Sequence, residues 1–216
     1  MRYPLLVFDW DGTLIDSART IVACIQAACR DLGLAVPDDA RASHVIGLGL
    51  KDALSYAIPE LPADDYGRMV ESYRRHFLAR DPEIPLFPGT RAMLAELRER
   101  GHILAIATGK SRAGLERALD NTGLGPFFSA SRCADQCASK PAPDMLCELM
   151  AELGMEESQT LMIGDTVHDL QMAAHAGVRA VGVSHGAHPR HELAALAPLA
   201  CVESIDELSR WLTQNA

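Results

Sequence analysis

Short apolar runs recur along the chain at Leu5–Phe8, His102–Ala107, Phe127–Ser131, Thr160–Ile163, Arg179–Val183 and Ala200–Val202, most of them closed by Asp, Thr, Gly or Ser. Runs of this length bounded by turn residues predict buried strands. Between them the apolar positions change period. Ile21, Ile25, Ala28 and Leu32 recur at helical spacing after Asp16-Ser17, a candidate N-cap, and before Gly33. Similar signals predict helices over 90–100, 111–121 and 143–153, from the Gly164-Asp165 loop to Ala176, and at the C-terminus. Alternating strand and helix predicts an α/β fold with a doubly wound parallel sheet of Rossmann-like form. One connection breaks the alternation. Residues 38–45, 50–58 and 63–80 carry helix signals and no strand signal, so roughly seventy residues follow the first strand where a βα unit needs far fewer. The pattern predicts an all-helical cap domain over 16–85, inserted into a core formed by 1–15 and 86–216.

Composition narrows the function. The chain has 216 residues, of which 48% are hydrophobic, enough for an α/β domain plus an insert. Its net charge is −9, from 20 basic and 29 acidic residues. That balance argues against nucleic acid as a partner, which calls for a basic stripe. A phosphate-bearing ligand would need local positive charge or a metal. No apolar run approaches membrane-spanning length, and no signal peptide precedes the first strand, so a cytoplasmic protein without a membrane partner is expected. The six cysteines are scattered; Cys133 and Cys137 are a lone C-x3-C pair, and reduced thiols are expected. His185, His188 and His191 fall in a Gly/Pro-rich stretch that reads as a solvated loop.

Candidate chemistry gathers where the apolar runs end. Active sites of open α/β sheets lie beyond the carboxyl ends of the strands. There the sequence places Asp9 and Asp11, then Thr108-Gly109-Lys110, then Lys140, then Asp165 and Asp169. Each station alone has an ordinary structural reading as a turn, a connector or a helix cap. Together they suit phosphoryl transfer. Asp9 and Asp165 could share a hard cation, for which carboxylates and water suit Mg2+. Thr108 and neighbouring amides at a helix start form a natural anion site. Lys140 can neutralise an oxyanion. Asp9 can then attack phosphorus while Asp11 moves protons.

Asp9-Trp10-Asp11-Gly12-Thr13-Leu14, Thr108, Lys140 and Gly164-Asp165-Thr166-Val167-His168-Asp169 together resemble the four motifs of the haloacid dehalogenase superfamily of phosphohydrolases, in order and over nearly the whole chain. The resemblance is to the branch with a helical cap after the first motif, and within it to phosphoglycolate phosphatases. It implies Asp9 as nucleophile and Asp11 as general acid/base. It implies Mg2+ held by Asp9, the Asp11 main chain and Asp165, with Asp169 supporting the metal through water or Lys140. Thr108, Gly109, Lys110 and Lys140 would meet the phosphoryl group, and Lys51, beside Gly47-Leu48-Gly49, an anionic leaving group. The implied activity is hydrolysis of a small phosphorylated metabolite, such as a phosphoglycolate-like ester, by a monomer or homodimer. Pyrophosphatase, nucleotidase, beta-phosphoglucomutase and phosphonatase activities share the scaffold. Phosphonatases and dehalogenases lack an acid at the position of Asp11. A non-catalytic binding module would not require Asp11 at all.

Overall fold

The computed structural model describes residues 2–216. Its centre is a parallel sheet of six strands, β1 (Leu5–Phe8), β2 (Ile103–Thr108), β3 (Ala130–Cys133), β4 (Thr160–Gly164), β5 (Arg179–Val183) and β6 (Ala200–Val202). Their spatial order is β3-β2-β1-β4-β5-β6. The sheet grows one way from β1 to β3 and the other way from β4 to β6. The crevice between β1 and β4 is therefore the topological switch point, where ligands of such sheets bind.

Every residue of β1 is buried, because both faces of the sheet are covered. Successive side chains point to opposite faces. Leu6 and Phe8 pack with α5 (Thr90–Glu99), α6 (Arg112–Thr122) and α10 (Ile205–Asn215), through Leu94, Leu97, Leu115 and Leu208. Leu5 and Val7 pack with α7 (Asp144–Leu153) and α8 (Val167–His175), through Leu146, Leu149 and Met172. The short helix α9 (Arg190–Ala195) joins the second layer through Leu193. An apolar run without alternation is the signature of such a doubly covered strand.

Between β1 and α5 the chain forms α1 (Ala18–Leu32), α2 (Asp39–His44), α3 (Leu50–Ala57) and α4 (Tyr66–Leu78). Gly33 at φ +67° ends α1 in a left-handed turn. These helices surround their own apolar cluster, which includes Ile25, Ala28, Leu54, Met69 and Phe77. The excursion leaves and returns at one place: Ile15 bridges Leu86, and Asp16 N–H donates to the Pro85 carbonyl at 2.9 Å.

Local departures from the sequence reading have physical causes. The strand expected at 127–131 forms at Ala130–Cys133, because Gly125-Pro126-Phe127 closes a 3-10 turn first. Phe127 and Phe128 pack against the core from outside the strand. Ser17 precedes α1 but makes no cap bond, its hydroxyl being used elsewhere. Arg190–Ala195, read as loop, is helical behind Pro189. No helix among the described residues is long and apolar enough to cross a membrane.

The fully buried Leu54 gives the helical layer its centre. Truncating it as Leu54→Ala is expected to cost about 2–5 kcal/mol, the scale of a deleted core leucine. Urea unfolding measures this, and a loss below about 1 kcal/mol would show that the layer has no independently packed core.

Candidate active site

The strand ends deliver the acids. β1 continues its pairing with β4 one step past its last residue, Asp9 N–H donating to the Ile163 carbonyl at 2.9 Å, which fixes Asp9 at the crevice. The Asp9 carboxylate is fully buried. Its Oδ1 accepts from Lys140 Nζ at 2.8 Å and from the Trp10 amide at 2.7 Å, while Oδ2 has no partner. Gly12, at φ +77°, turns the chain beneath Asp165, and a Cβ there would overlap that carboxylate. Asp165 follows β4, with Oδ1 accepting from the Thr13 hydroxyl and Oδ2 from the Ala187 amide, each at 2.7 Å. Asp169 closes the group from the first turn of α8. Its Oδ2 accepts from the amide and hydroxyl of Thr166 in a reciprocal cap, and its Oδ1 accepts from Lys140 Nζ at 2.6 Å.

Oxygens of Asp9, Asp165 and Asp169 lie within 4.8 Å of one another, all buried, with Lys140 the lysine among them. Desolvation works to neutralise Lys140, but the charges of Asp169 and Asp9 hold it protonated, well above the ordinary lysine value. Burial raises Asp9 well above the usual carboxylate range, Lys140 opposing and the other two acids reinforcing. Burial, helped by the Asp169 charge, raises Asp165 to about 7. Three carboxylates against one lysine leave excess negative charge in a dry place. The unpartnered Asp9 Oδ2 and the hard oxygen donors fit a divalent cation. Asp169 differs from its neighbours, since both its oxygens already serve Lys140 and the α8 cap.

Asp11 faces the other way. Its Oδ1 accepts from the Ser17 hydroxyl at 2.8 Å and lies 3.1 Å from Lys110 Nζ. Lys110 also sits 4.6 Å from the centroid of the Phe77 ring on α4. Thr108 is buried at the end of β2, its hydroxyl accepting from the Lys110 amide at 3.2 Å. Asp9, Asp11, Thr108, Lys110, Lys140, Asp165 and Asp169, far apart in sequence, thus gather at one edge of the sheet. Lys51 stands apart, exposed on α3 at the mouth of a cavity that begins at Asp11.

The helical layer closes over this edge through backbone. A Cβ at Gly109 would overlap the carbonyls of Gly47 and Leu48, so only glycine admits that approach. The Gly49 amide donates to Ser139 Oγ at 2.8 Å. Two histidines latch the same seam: His168 Nε2 donates to the His44 carbonyl at 2.7 Å, and His188 Nε2 to the same oxygen at 3.2 Å. The expected solvated histidine loop is corrected here. His188 is buried, stacked on His44, and receives the Val167 amide at Nδ1. Burial lowers it to about 4, so it remains neutral. His185 is half-buried against Phe87 and bonds the Thr13 carbonyl; His191 alone is exposed. Thr13, inside the first motif, serves Asp165, and Ser17, which reads as an N-cap six residues beyond Asp11, serves Asp11 instead; nothing in the sequence points to Ser139 or His44.

An open parallel sheet with acids beyond its two central strands and a buried lysine between them is an arrangement suited to phosphoryl transfer. A sequence profile of the haloacid dehalogenase-like hydrolases matches residues 6–183, and the chain belongs to that family. It is 37% identical over 211 residues to a Dickeya dadantii protein named "Probable phosphatase IndB", covering 95% of this chain and 91% of that one. It is 31% identical to a phosphoglycolate phosphatase of Agrobacterium fabrum, over 85% of this chain and 81% of the relative. A hydrolase of Pseudomonas syringae shares the fold at a TM-score of 0.89 and 23% identity, with 98% of each chain covered. The protein is a phosphatase of the haloacid dehalogenase-like family.

A raised carboxylate has a stability consequence. Burial and the Asp169 charge push Asp165 up to about 7 from an ordinary value near 3.8. The fold therefore loses stability as pH rises through that window, as the buried group is forced to ionise. Asp165→Asn removes the ionisation. Its melting temperature, without divalent cation, is expected to exceed the wild type's by more at pH 8 than at pH 5. A gap that is equal at both pH values, or reversed, contradicts the electrostatic account.

Proposed function

We propose that the protein hydrolyses the phosphomonoester of a small metabolite in two steps, with Mg2+ as cofactor and an aspartyl-phosphate on Asp9 as intermediate. The observation that carries this reading is the Asp9 carboxylate: one oxygen held by Lys140 and the Trp10 amide, the other buried and unpartnered beside Asp165. A carboxylate pinned by a lysine and a main-chain amide is held in a fixed orientation, and orientation is a large part of what a phosphoryl-transfer enzyme contributes. Asp9, Asp165 and the main-chain carbonyl of Asp11 are the groups that would hold Mg2+, which when bound neutralises charge on the phosphoryl oxygens.

The remaining residues have roles their contacts support. An oxygen of Asp9 attacks phosphorus, and the bond from phosphorus to the leaving oxygen breaks. Asp11, on the cavity side, gives that oxygen a proton and later takes one from the water that attacks the aspartyl-phosphate, releasing inorganic phosphate. Ser17 and Lys110 hold the Asp11 carboxylate in place. Lys140, kept protonated by its two acids, binds phosphoryl oxygen together with Thr108 and the Gly109 and Lys110 amides. Asp169 positions Lys140, which its two occupied oxygens favour over direct metal ligation. The helices of 16–85 act as a cap that excludes water during transfer. A cytoplasmic setting, where such metabolites occur, goes with this reading.

Asp9→Asn is expected to lower turnover by roughly 10³-fold or more, with circular dichroism unchanged. Near-normal phosphate release from that variant would remove Asp9 from the mechanism. Asp11→Asn is expected to slow alkyl phosphate hydrolysis by about 10²–10⁴-fold, and aryl phosphate hydrolysis by clearly less, since a phenolate leaves without a proton. Equal losses on both ester types would deny Asp11 the acid role. Because a proton on raised Asp9 or Asp165 competes with a cation, Mg2+ affinity measured calorimetrically is expected to weaken from pH 8 to pH 6. Affinity independent of pH over that range would rule those carboxylates out as ligands.

A further inference from the structure

The proposed proton donor has one oxygen committed and one open. Asp11 Oδ1 accepts from the Ser17 hydroxyl at 2.8 Å and lies 3.1 Å from Lys110 Nζ, while Oδ2 has no hydrogen-bond partner among the described residues. Asp11 lines a cavity of about 730 Å³ between the helical layer and the strand ends, together with Lys110 and Phe77 of α4. A carboxyl group delivers a proton only from within hydrogen-bond reach of the accepting atom, so the place of Oδ2 matters. Two contacts decide that place, and they are unequal. Ser17 is fully buried and its side chain is short. Lys110 reaches Asp11 on a flexible four-carbon stem, which leaves its ammonium free to turn unless something else holds it.

What holds it is an aromatic face. Among the described residues the Lys110 ammonium makes no hydrogen bond or ion pair besides the one with Asp11, and it lies 4.6 Å from the centroid of the Phe77 ring. An ammonium within about 6 Å of a ring centroid is drawn to the negative face of the ring, most strongly where water is scarce. Water is scarce here, since the Lys110 side chain is 11% exposed and Phe77 is buried. The ring is itself fixed. Tyr73, one turn back on α4, stacks on it with centroids 5.9 Å apart and planes 24° from parallel, and Phe77 belongs to the apolar cluster of Ile25 and Met69. The ammonium therefore sits between a carboxylate of the strand ends and a ring of the helical layer. Its 3.1 Å from Asp11 is longer than the roughly 2.7–2.9 Å of an undivided charge-assisted bond.

We propose that Phe77 is a positioning residue for proton transfer: its ring fixes the Lys110 ammonium, Lys110 fixes Asp11 Oδ1, and Oδ2 is left in place to meet the leaving oxygen. A leucine at this position would keep an apolar side chain in the helical layer but would offer no π face to the cation. The inference rests on the reading of Asp11 as general acid given above and adds a residue that acts through Lys110. The proton still passes from Asp11 to the leaving oxygen, and no bond is made or broken at Phe77.

The test reads the ratio of kcat/KM for benzyl phosphate to that for 4-nitrophenyl phosphate, with Mg2+. Both leaving groups carry one ring, so their contacts with the cavity are similar, but only the benzyl alkoxide needs a proton. Both values come from one preparation, so a loss of folded protein cancels in the ratio. Phe77→Leu is expected to lower the ratio by about tenfold, the scale of one desolvated cation–π contact. Phe77→Tyr, which keeps the ring, is expected to hold it within about threefold of the wild type. Lys110→Met is expected to lower the ratio by itself, and adding Phe77→Leu to it to lower the ratio no further, as for two residues acting through one contact. Equal losses on both esters, the same further drop on the Lys110→Met background, or Phe77→Tyr falling as far as Phe77→Leu overturns the inference. Asp11→Asn is the separating control. If it lowers the ratio while Phe77→Leu does not, the role of Phe77 alone falls. If it leaves the ratio unchanged, the acid reading of Asp11 falls and this inference with it; if the wild type releases phosphate from neither ester, both fall together with the phosphatase reading.

Discussion

The site is organised around a buried ammonium held between two carboxylates. Lys140 Nζ lies 2.8 Å from Asp9 and 2.6 Å from Asp169, all three beyond the reach of water. A buried charge is tolerated only when paired and hydrogen-bonded, and Lys140 meets that condition through groups from two strands' ends. The Asp169 partner is itself anchored by the first turn of α8, so helix capping, lysine position and Asp9 orientation form one chain of contacts. Asp165 adds a further acid without adding a cation. The resulting excess of negative charge is costly to the fold, and it is the property that makes the cluster receptive to a cation.

The sheet supplies the rigidity this arrangement needs. β1 and β4 are neighbours with every residue of both buried, so Asp9 and Asp165 project from positions that packing has already fixed. The helical layer meets the strand ends through local backbone and polar contacts: the Gly47 and Leu48 carbonyls against Gly109, one serine bond, and two imidazoles on the His44 carbonyl. These are contacts that can part without breaking a core. In the proposed reaction that difference matters, since acids and lysine must stay while the layer above admits substrate.

Much of this architecture is legible in the amino-acid sequence. The strands show because doubly covered parallel strands are apolar at every position, as in Leu5–Phe8. The insert shows because its helices interrupt the alternation of strand and helix. Asp9, Asp165 and Lys140 show because, although each alone has an ordinary structural reading, together they follow the strands in an order that suits one chemistry. What stays hidden is of another kind. β3 is misplaced because Phe127 and Phe128 are apolar without being strand, the Pro126 turn intervening. The buried place of His188 depends on stacking with His44, more than a hundred residues away, and on an amide and a carbonyl that leave no trace in a sequence. Ser17 looks like a cap and serves Asp11 instead. The cavity is invisible because its size depends on how far α4 stands from the sheet.

Rapid-quench mass spectrometry during turnover of an alkyl phosphate in the presence of Mg2+ decides whether Asp9 is the nucleophile. The expected result is a transient phosphoryl adduct on the peptide that contains Asp9, formed no more slowly than phosphate is released and absent from Asp9→Asn. Phosphate release with no adduct at any time point, together with turnover persisting in Asp9→Asn, would contradict covalent catalysis and leave the buried acids as a metal site alone.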